Sequence, residues 1–421
     1  MNFTLRLENL VGLASVRVPP FCLASFILAL AIGSTVPMSA AEPSAAPIRL
    51  MDDGEKSFSH EIQRAIDRGL AWLRANQNSN GWWSTPDHPA VSALALAAFM
   101  NDPSGQFRPP PDFVRRGYDY VLASVKPDGG IHRGQLVTYN TSISMMALLA
   151  ANDPAYDAQL RQSRRFLVGL QSDFGEKDRS DDVFDGGVGY GSKYEHSDMG
   201  NTVAALEAIA HTRHLERDQP AGTARDLNWA AAVQFLQNCQ NLPACNKQAW
   251  ASDDATNRGG FVYYPGHSMA GGTTNAETGR VALRSYGSIS YAGLLSYIYA
   301  DLKNDDPRVT AVLDWLQRNY TLEENPGMGL QGLYYYFQTM TKALTAADVK
   351  QIKLADGRKV DWRRDLAMKL LNLQQRDGSW SNTEARWWEK DPALVTAYTV
   401  LSLETLQRGV TSGRATVPAK E

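Results

Sequence analysis

The sequence predicts an all-α protein, an α/α toroid of six helical hairpins with an inner and an outer ring of helices. Three observations predict it. Amphipathic segments alternate with segments apolar nearly all round, and there are six of each. A helix apolar on every side is a buried helix, so the second kind belongs inside the first. A glycine turn, often followed by an aromatic ring, recurs between the two members of a pair. Strands are expected to be scarce and short.

The outer helices come first in each pair. In "EIQRAIDRGLAWLRANQ" (61–77), Ile62, Ile66, Leu70 and Leu73 recur at the three-to-four spacing of one helix face. "VRRGYDYVLASV", "LRQSRRFLVGLQ", "NWAAAVQFLQN", "RVTAVLDWLQRNY" and "WRRDLAMKLLNLQ" follow the same pattern, each with a wet face of Arg, Asp and Gln. The inner partners are "AVSALALAAF", "NTSISMMALLA", "GNTVAALEAIA", "YGSISYAGLLSYIYA", "LYYYFQTMTKAL" and "ALVTAYTVLSLETL", poor in charge and rich in Ala, Ser and Leu.

The turn between partners reads "NQNSNGWW" in the first pair, then "KPDGGIH", "FDGGVGYGS", "NRGGFVYYPG", "ENPGMGLQG" and finally "RDGSWSN". Its strongest copies set Gln77, Gly81 and Trp83 against Gln375, Gly378 and Trp380. Glycine admits the positive φ such a turn needs, and the ring can pack across the ends of neighbouring helices. Pro and Asp mark the return loops "NDPSGQFRPPPD", "ANDPAYD" and "NDDPRV". Buried inner helices favour a closed ring, with an open helical solenoid as the alternative.

The ends differ from this body. Arg6 and Arg17 precede the apolar run "FCLASFILALAIGSTV", and small residues at Ser39 and Ala41 follow it. That order is a secretory signal, expected over 1–41 and followed by a flexible segment over 42–60. The run is short for a membrane span, so no stable span is expected after cleavage. The toroid domain is expected over 61–408, with a disordered tail over 409–421. The protein is therefore expected to be exported, to a periplasm or outside the cell. An oxidising compartment favours disulfides, and a local bridge is expected between Cys239 and Cys245 in "QNCQNLPACNKQ". The net charge of −3 offers no basic field for nucleic acid, and no such partner is expected.

The repeated glutamine–glycine–tryptophan turn resembles the QW motif of squalene and terpene cyclases, in the prenyltransferase/squalene-cyclase repeat superfamily. The resemblance covers most of the chain after residue 60 and implies the α/α toroid. The stretch from "SYGSISYAG" to "TMTKAL" resembles exported bacterial proteins that carry such repeats. The cyclases protonate an alkene with an aspartic acid in a D-x-D-D-T-A motif, to which "DMGNTV" (198–203) is the nearest match. Asp198 and Thr202 keep their places, but Gly200 stands where the donating acid would be and Asn201 replaces the second acid. The zinc ligands of the protein prenyltransferases and the reactive thioester of other toroids have no counterpart, so no metal or cofactor is expected.

In a toroid the heads of the inner helices meet the cavity. Candidate ligand-binding residues there are Tyr139, Asn140, His196, Asn201, Arg284, Tyr286, Tyr291, Tyr335 and Trp387, and the candidate catalytic acid is Asp198. A capping role also accounts for Asp198, Asn201, Thr141 and Ser288. Arg284 has an alternative too, an ion pair with Asp198 or Glu277. "HTRH" (211–214) spaces two histidines on one face but reads as a helix end. "GGVGYG" (186–191) lacks the rest of a phosphate loop. Three functions stay open. The first is an exported protein holding a small apolar or isoprenoid-like ligand in its cavity. The second is a terpene-cyclase-like isomerase acting through Asp198. The third is a glycan-binding or glycan-processing barrel.

Overall fold

The structure is a computed structural model that describes residues 53–192, 196–217 and 225–412. The expected signal over 1–41 and the end of the expected tail lie outside the described residues. Twelve α-helices account for the body. The outer helices are α1 (Asp53–Ala75), α3 (Asp112–Leu122), α5 (Asp157–Val168), α7 (Trp229–Asn238), α9 (Pro307–Arg318) and α11 (Trp362–Leu373). The inner helices are α2 (Pro89–Asn101), α4 (Val137–Ala151), α6 (Met199–His211), α8 (Gly287–Tyr299), α10 (Leu333–Ala346) and α12 (Pro392–Ser412).

Each inner helix touches the next in chain order, and α12 touches α2. The ring is closed, which settles the toroid over the solenoid. Residues Pro89 to Met100 of α2 are all buried, as an apolar surface without a wet face requires. The outer helix α3 buries Phe113, Val114, Gly117 and Tyr118 and leaves Arg115, Arg116 and Asp119 in water. Among the described residues, strands are confined to two small antiparallel hairpins, β1 (Gly272–Thr274) with β2 (Val281–Leu283), and β3 (Ile352–Lys353) with β4 (Lys359–Val360). The first helix starts at Asp53, ahead of the boundary at residue 61 that the sequence suggests, because Phe58 extends the buried face of Ile62 and Ile66. No helix among the described residues is long and apolar enough to cross a membrane.

The recurring turn is a joint with three fixed parts. Its glycine (Gly81, Gly129, Gly186, Gly259, Gly378) takes φ of 83° to 97°. A Cβ there would overlap the backbone of the next outer helix, at Arg116, Gln162, Ala231, Ala311 and Arg68 respectively. Two residues on, a backbone N–H donates to a hydroxyl in the first turns of the inner helix. The pairs are Trp83 with Ser92, Ile131 with Thr141, Val188 with Thr202, Phe261 with Ser290 and Trp380 with Thr396, at 2.9 to 3.0 Å. The third part is a glutamine whose amide donates twice. Gln77 Nε2 reaches Gly81 O and Phe113 O, both at 2.9 Å. Gln171, Gln240 and Gln374 repeat this with Gly186 and Asn228, Gly259 and Arg308, and Gly378 and Ala65. Each amide thus satisfies two carbonyls and ties one hairpin to the next, for about 1 kcal/mol per bond. In the second joint the clamp comes from the other side, where Ser163 Oγ donates to Gly129 O at 2.7 Å. Trp83 and Trp380 close their outer helices by donating Nε1–H to Leu73 O and Leu370 O.

Two expectations are corrected here. The glutamine equivalent to Gln77 is Gln374, not Gln375; the Gln375 side chain points outward to Ser379 and Ser381. Cys239 and Cys245 are both free thiols and form no bridge. Cys239 is wholly buried in the core. The segment between them is instead held by amides: Asn246 Nδ2 donates to Gln240 O at 2.9 Å, and Cys245 N–H donates to Leu242 O at 2.8 Å.

Candidate functional site at the mouth of the toroid

The N-terminal ends of the inner helices gather at one mouth of the ring, and most of them need caps. Side chains from neighbouring segments supply several. Asn140 Oδ1 accepts from Ala90 N at the head of α2, and its Nδ2 donates to Gln135 O. Asn325 Oδ1 accepts from Ser288 N at the head of α8. Glu389 accepts from Tyr334 N and Tyr335 N at the head of α10, whose own preceding residue is Gly332. Asn140 is therefore a cap, not a ligand-facing group, and Thr141 and Thr202 are the joint hydroxyls already described.

Asp198 caps its own helix, α6. Its Oδ1 accepts from Asn201 N at 2.9 Å and its Oδ2 from Asn201 Nδ2 at 2.7 Å. Tyr263 also hydrogen-bonds to this carboxyl, and Tyr190 meets Tyr263 hydroxyl to hydroxyl at 2.9 Å. Tyr286, at the head of α8, is buried beside Tyr263. Complete burial pushes the Asp198 carboxyl up to about 6, against the pull of these donors and of nearby His196. Glu389 is likewise buried and is pushed up to about 7, despite donors from Asn382 and from the backbone of α10. Glu389 is not among the residues that the sequence singles out. Its only signal is an acid directly after the "RWW" that precedes the last inner helix.

Tyrosines occupy the axis just inside the mouth. The hydroxyls of Tyr139 on α4 and Tyr398 on α12 meet at 3.1 Å, bridging two helices that flank α2. The Tyr335 ring of α10 lies 6.4 Å from that of Tyr398. All three are at most 3% exposed, so the rings fill the axis at this level. Among the described residues, the hydroxyl of Tyr335, Nε1 of Trp387 and Nδ1 of His88 are buried without a hydrogen-bond partner. A buried polar atom left unpaired costs about 1–3 kcal/mol, so these three mark places where a polar guest gains most. Burial lowers the His88 imidazole below its ordinary value and keeps it neutral. Trp388 leans on His88 edge-on at 4.7 Å, and the Trp387 ring lies against Gly332.

The other expected residues do not join this group. Arg284 is exposed beside the β1–β2 hairpin, where Nε reaches Thr273 Oγ1 at 3.4 Å, and it pairs with neither Asp198 nor Glu277. Tyr291 packs against Tyr336, with ring centroids 5.6 Å apart, on the side of α8 towards Tyr320. His196 stands at the rim, 4.4 Å from the Tyr264 ring. His211 is half-buried, and desolvation of its ring, with Lys342 nearby, lowers its pKa to about 4, while His214 is exposed, so the two do not form a pair of ligands.

No family model matches the sequence, and no curated protein matches it. Solved structures do. The Candida albicans protein geranylgeranyltransferase-I complexed with GGPP is 14% identical, with 83% of this chain and 91% of that one covered and a TM-score of 0.50. The GH76 alpha-mannanase from Bacteroides thetaiotaomicron is 10% identical over 85% and 97%, with a TM-score of 0.49. The apo type II terpene cyclase MstE from Scytonema is 13% identical over 84% and 99%, with a TM-score of 0.48. The likeness to the geranylgeranyltransferase is at such identity a likeness of fold, and with the closed ring of inner helices it establishes this chain as an α/α toroid.

Proposed function

We propose that the protein is an exported toroid of the QW-repeat kind that binds an apolar, isoprenoid-like ligand at the mouth of its ring and does not cyclise it. One observation carries this reading. The carboxyl at the cyclase-like position, Asp198, accepts from Asn201 twice and from Tyr263, while Tyr335, Trp387 and His88 keep buried polar atoms unpaired. A proton donor for an alkene needs a free, acidic O–H aimed at the substrate. Asp198 is spent on holding α6. The tyrosine layer offers the polar end of a guest a hydroxyl, and the surrounding aromatic rings suit an apolar chain. Isoprenoid binding by proteins of this fold, such as the geranylgeranyltransferase with its GGPP, supports the choice of ligand.

The test uses farnesol and geranylgeraniol as probes, read by tryptophan fluorescence and thermal shift. Both alcohols are expected to bind, Tyr335→Phe to weaken them by about tenfold, and Asp198→Asn to leave binding in place with no cyclised product in either protein. Cyclised product lost in Asp198→Asn would make the protein a cyclase, and absence of binding would remove the isoprenoid reading. Export is tested by N-terminal sequencing of the mature protein, which is expected to begin near Glu42.

A further inference from the structure

The first joint departs from its repeats at one position. The residue after the left-handed glycine is Gly130, Gly187, Gly260 and Ser379 in four later joints, but Trp82 in the first. A Cβ at Gly130, Gly187 or Gly260 would crowd His132 and Phe166, Ser197 and Phe235, or Ser285 and Trp315, so those three joints call for glycine where the first accepts an indole. The indole of Trp82 is instead partly buried, with one part packed against the core. It lines a surface cleft of about 490 Å³ together with Asn80, Arg116, Asp119, Tyr120 and Arg133.

Two cations border this cleft. Arg133 lies over the Tyr120 ring at 4.8 Å and holds Ser124 Oγ through Nε at 3.1 Å, which leaves its two terminal nitrogens for a guest. Arg116 has no hydrogen bond or ion pair among the described residues. Its counterpart in the last joint, Arg68, is used up there, donating to Gln375 O and Arg376 O at 2.8 and 2.9 Å. The walls are fixed beforehand. Gly81 presses on the backbone of Arg116, Gln77 ties the turn to Phe113, and Tyr120 donates its hydroxyl to Pro86 O at 2.8 Å. A preformed cleft spares the guest the cost of ordering it.

We propose that this cleft binds an acidic sugar unit, a hexuronate of a glycan, with its carboxylate on Arg116 and Arg133 and its ring face on Trp82. A guanidinium pairs with a planar carboxylate through two parallel hydrogen bonds. The flat indole suits the apolar face of a sugar ring. Asp119 accepts sugar hydroxyls and disfavours a dianion such as phosphate, so the charge balance selects a monoanion rich in hydroxyls. This site is separate from the tyrosine layer and does not depend on what the mouth holds.

The experiment is calorimetric titration of the full chain with trigalacturonate, its methyl ester and inorganic phosphate. Trigalacturonate is expected to bind, with the neutral ester at least about tenfold weaker. Trp82→Ala and Arg116→Ala are each expected to lose about tenfold, and Arg116→Lys part of that, since an ammonium cannot bind bidentately. The response to farnesol should not change, because these side chains lie outside the mouth, and the melting temperature of Arg116→Ala should not change, because that side chain is exposed. Equal binding of acid and ester, or no binding of the acid, overturns the proposal. So does acid binding that survives Trp82→Ala and is matched by phosphate, which would mark a bare anion patch.

Discussion

Lys342 on α10 places its Nζ 2.6 Å from Glu207 Oε2 on α6, with the Glu207 side chain buried and that of Lys342 only 9% exposed. The intervening helix α8 joins them through Tyr299, which hydrogen-bonds to Glu207. Three inner helices are thus pinned together by one ion pair far from water. Removing one partner leaves the other charge stranded. Lys342→Met is expected to cost about 3–5 kcal/mol, and adding Glu207→Leu to recover most of it. Urea denaturation of the two variants checks this, and equal losses in both would refute it.

The joint glutamines give a sharp comparison between adjacent residues. Gln374→Ala removes two bonds to buried carbonyls and is expected to cost about 2 kcal/mol. Gln375→Ala removes an exposed contact to Ser381 and a 3.2 Å one to Ser379, whose hydroxyl keeps Asp377 as a partner, and should stay within about 0.5 kcal/mol. Denaturation midpoints in the reverse order would mean that the repeat is set one residue later.

Gly259 has φ of +94° and lies against the backbone at Ala311. Gly259→Ala must strain the backbone and push α9 away at once. A loss of about 3 kcal/mol or more is expected. Gly279, also at positive φ but with open space around its α-carbon, should lose about 1 kcal/mol as alanine. A similar melting shift in both would show that overlap with α9 adds nothing.

Glu389 makes stability depend on pH. Its folded pKa of about 7 lies above the ordinary value of 4.5, so the folded state keeps a proton that the unfolded chain gives up. The contribution is fully present below pH 4.5 and is lost as pH rises through 7. The loss is on the order of 3 kcal/mol across that window. Glu389→Gln should flatten the profile between pH 4.5 and 7, measured by denaturation at four or five pH values.

The two thiols report on the missing bridge. Unfolded without reductant and alkylated, the chain should carry a label on both Cys239 and Cys245. In the folded protein Cys245, only partly buried, should react first, since burial also pushes the Cys239 thiol up and away from the reactive thiolate. A mass two hydrogens short, with neither cysteine labelled, would establish the disulfide after all.

Helix count, the alternation of rings and the repeated joint were legible because burial on all sides leaves a plain mark on composition, as in "AVSALALAAF". Ring closure was legible only by inference, since it rests on α12 touching α2. The glutamine register was not. Gln374 and Gln375 are adjacent and identical, and only the direction of the side chain separates them. The mouth was read in part. Tyr139 and Tyr335 lie in the first turns of α4 and α10, while Asn140 and Asn201 are engaged in capping. Glu389 escaped notice because it caps a helix that begins more than fifty residues earlier, with Tyr335 at a sequence separation of 54. Arg284 misled because proximity in sequence to Tyr286 says nothing about the hairpin that carries it outward.

The last joint is finished by the first helix. Arg68, Trp72 and Ala65 of α1 hold Gln374, Gln375, Arg376 and Asp377. A chain emerging from the ribosome therefore cannot complete this unit, or cover the exposed side of its first, until α11 and α12 have been made. An open array could fold one repeat at a time and survive trimming at either end. Here the last hairpin must be made before the ring exists, and a chain cut short anywhere within it leaves a gap in the ring, not a shorter version of the same object.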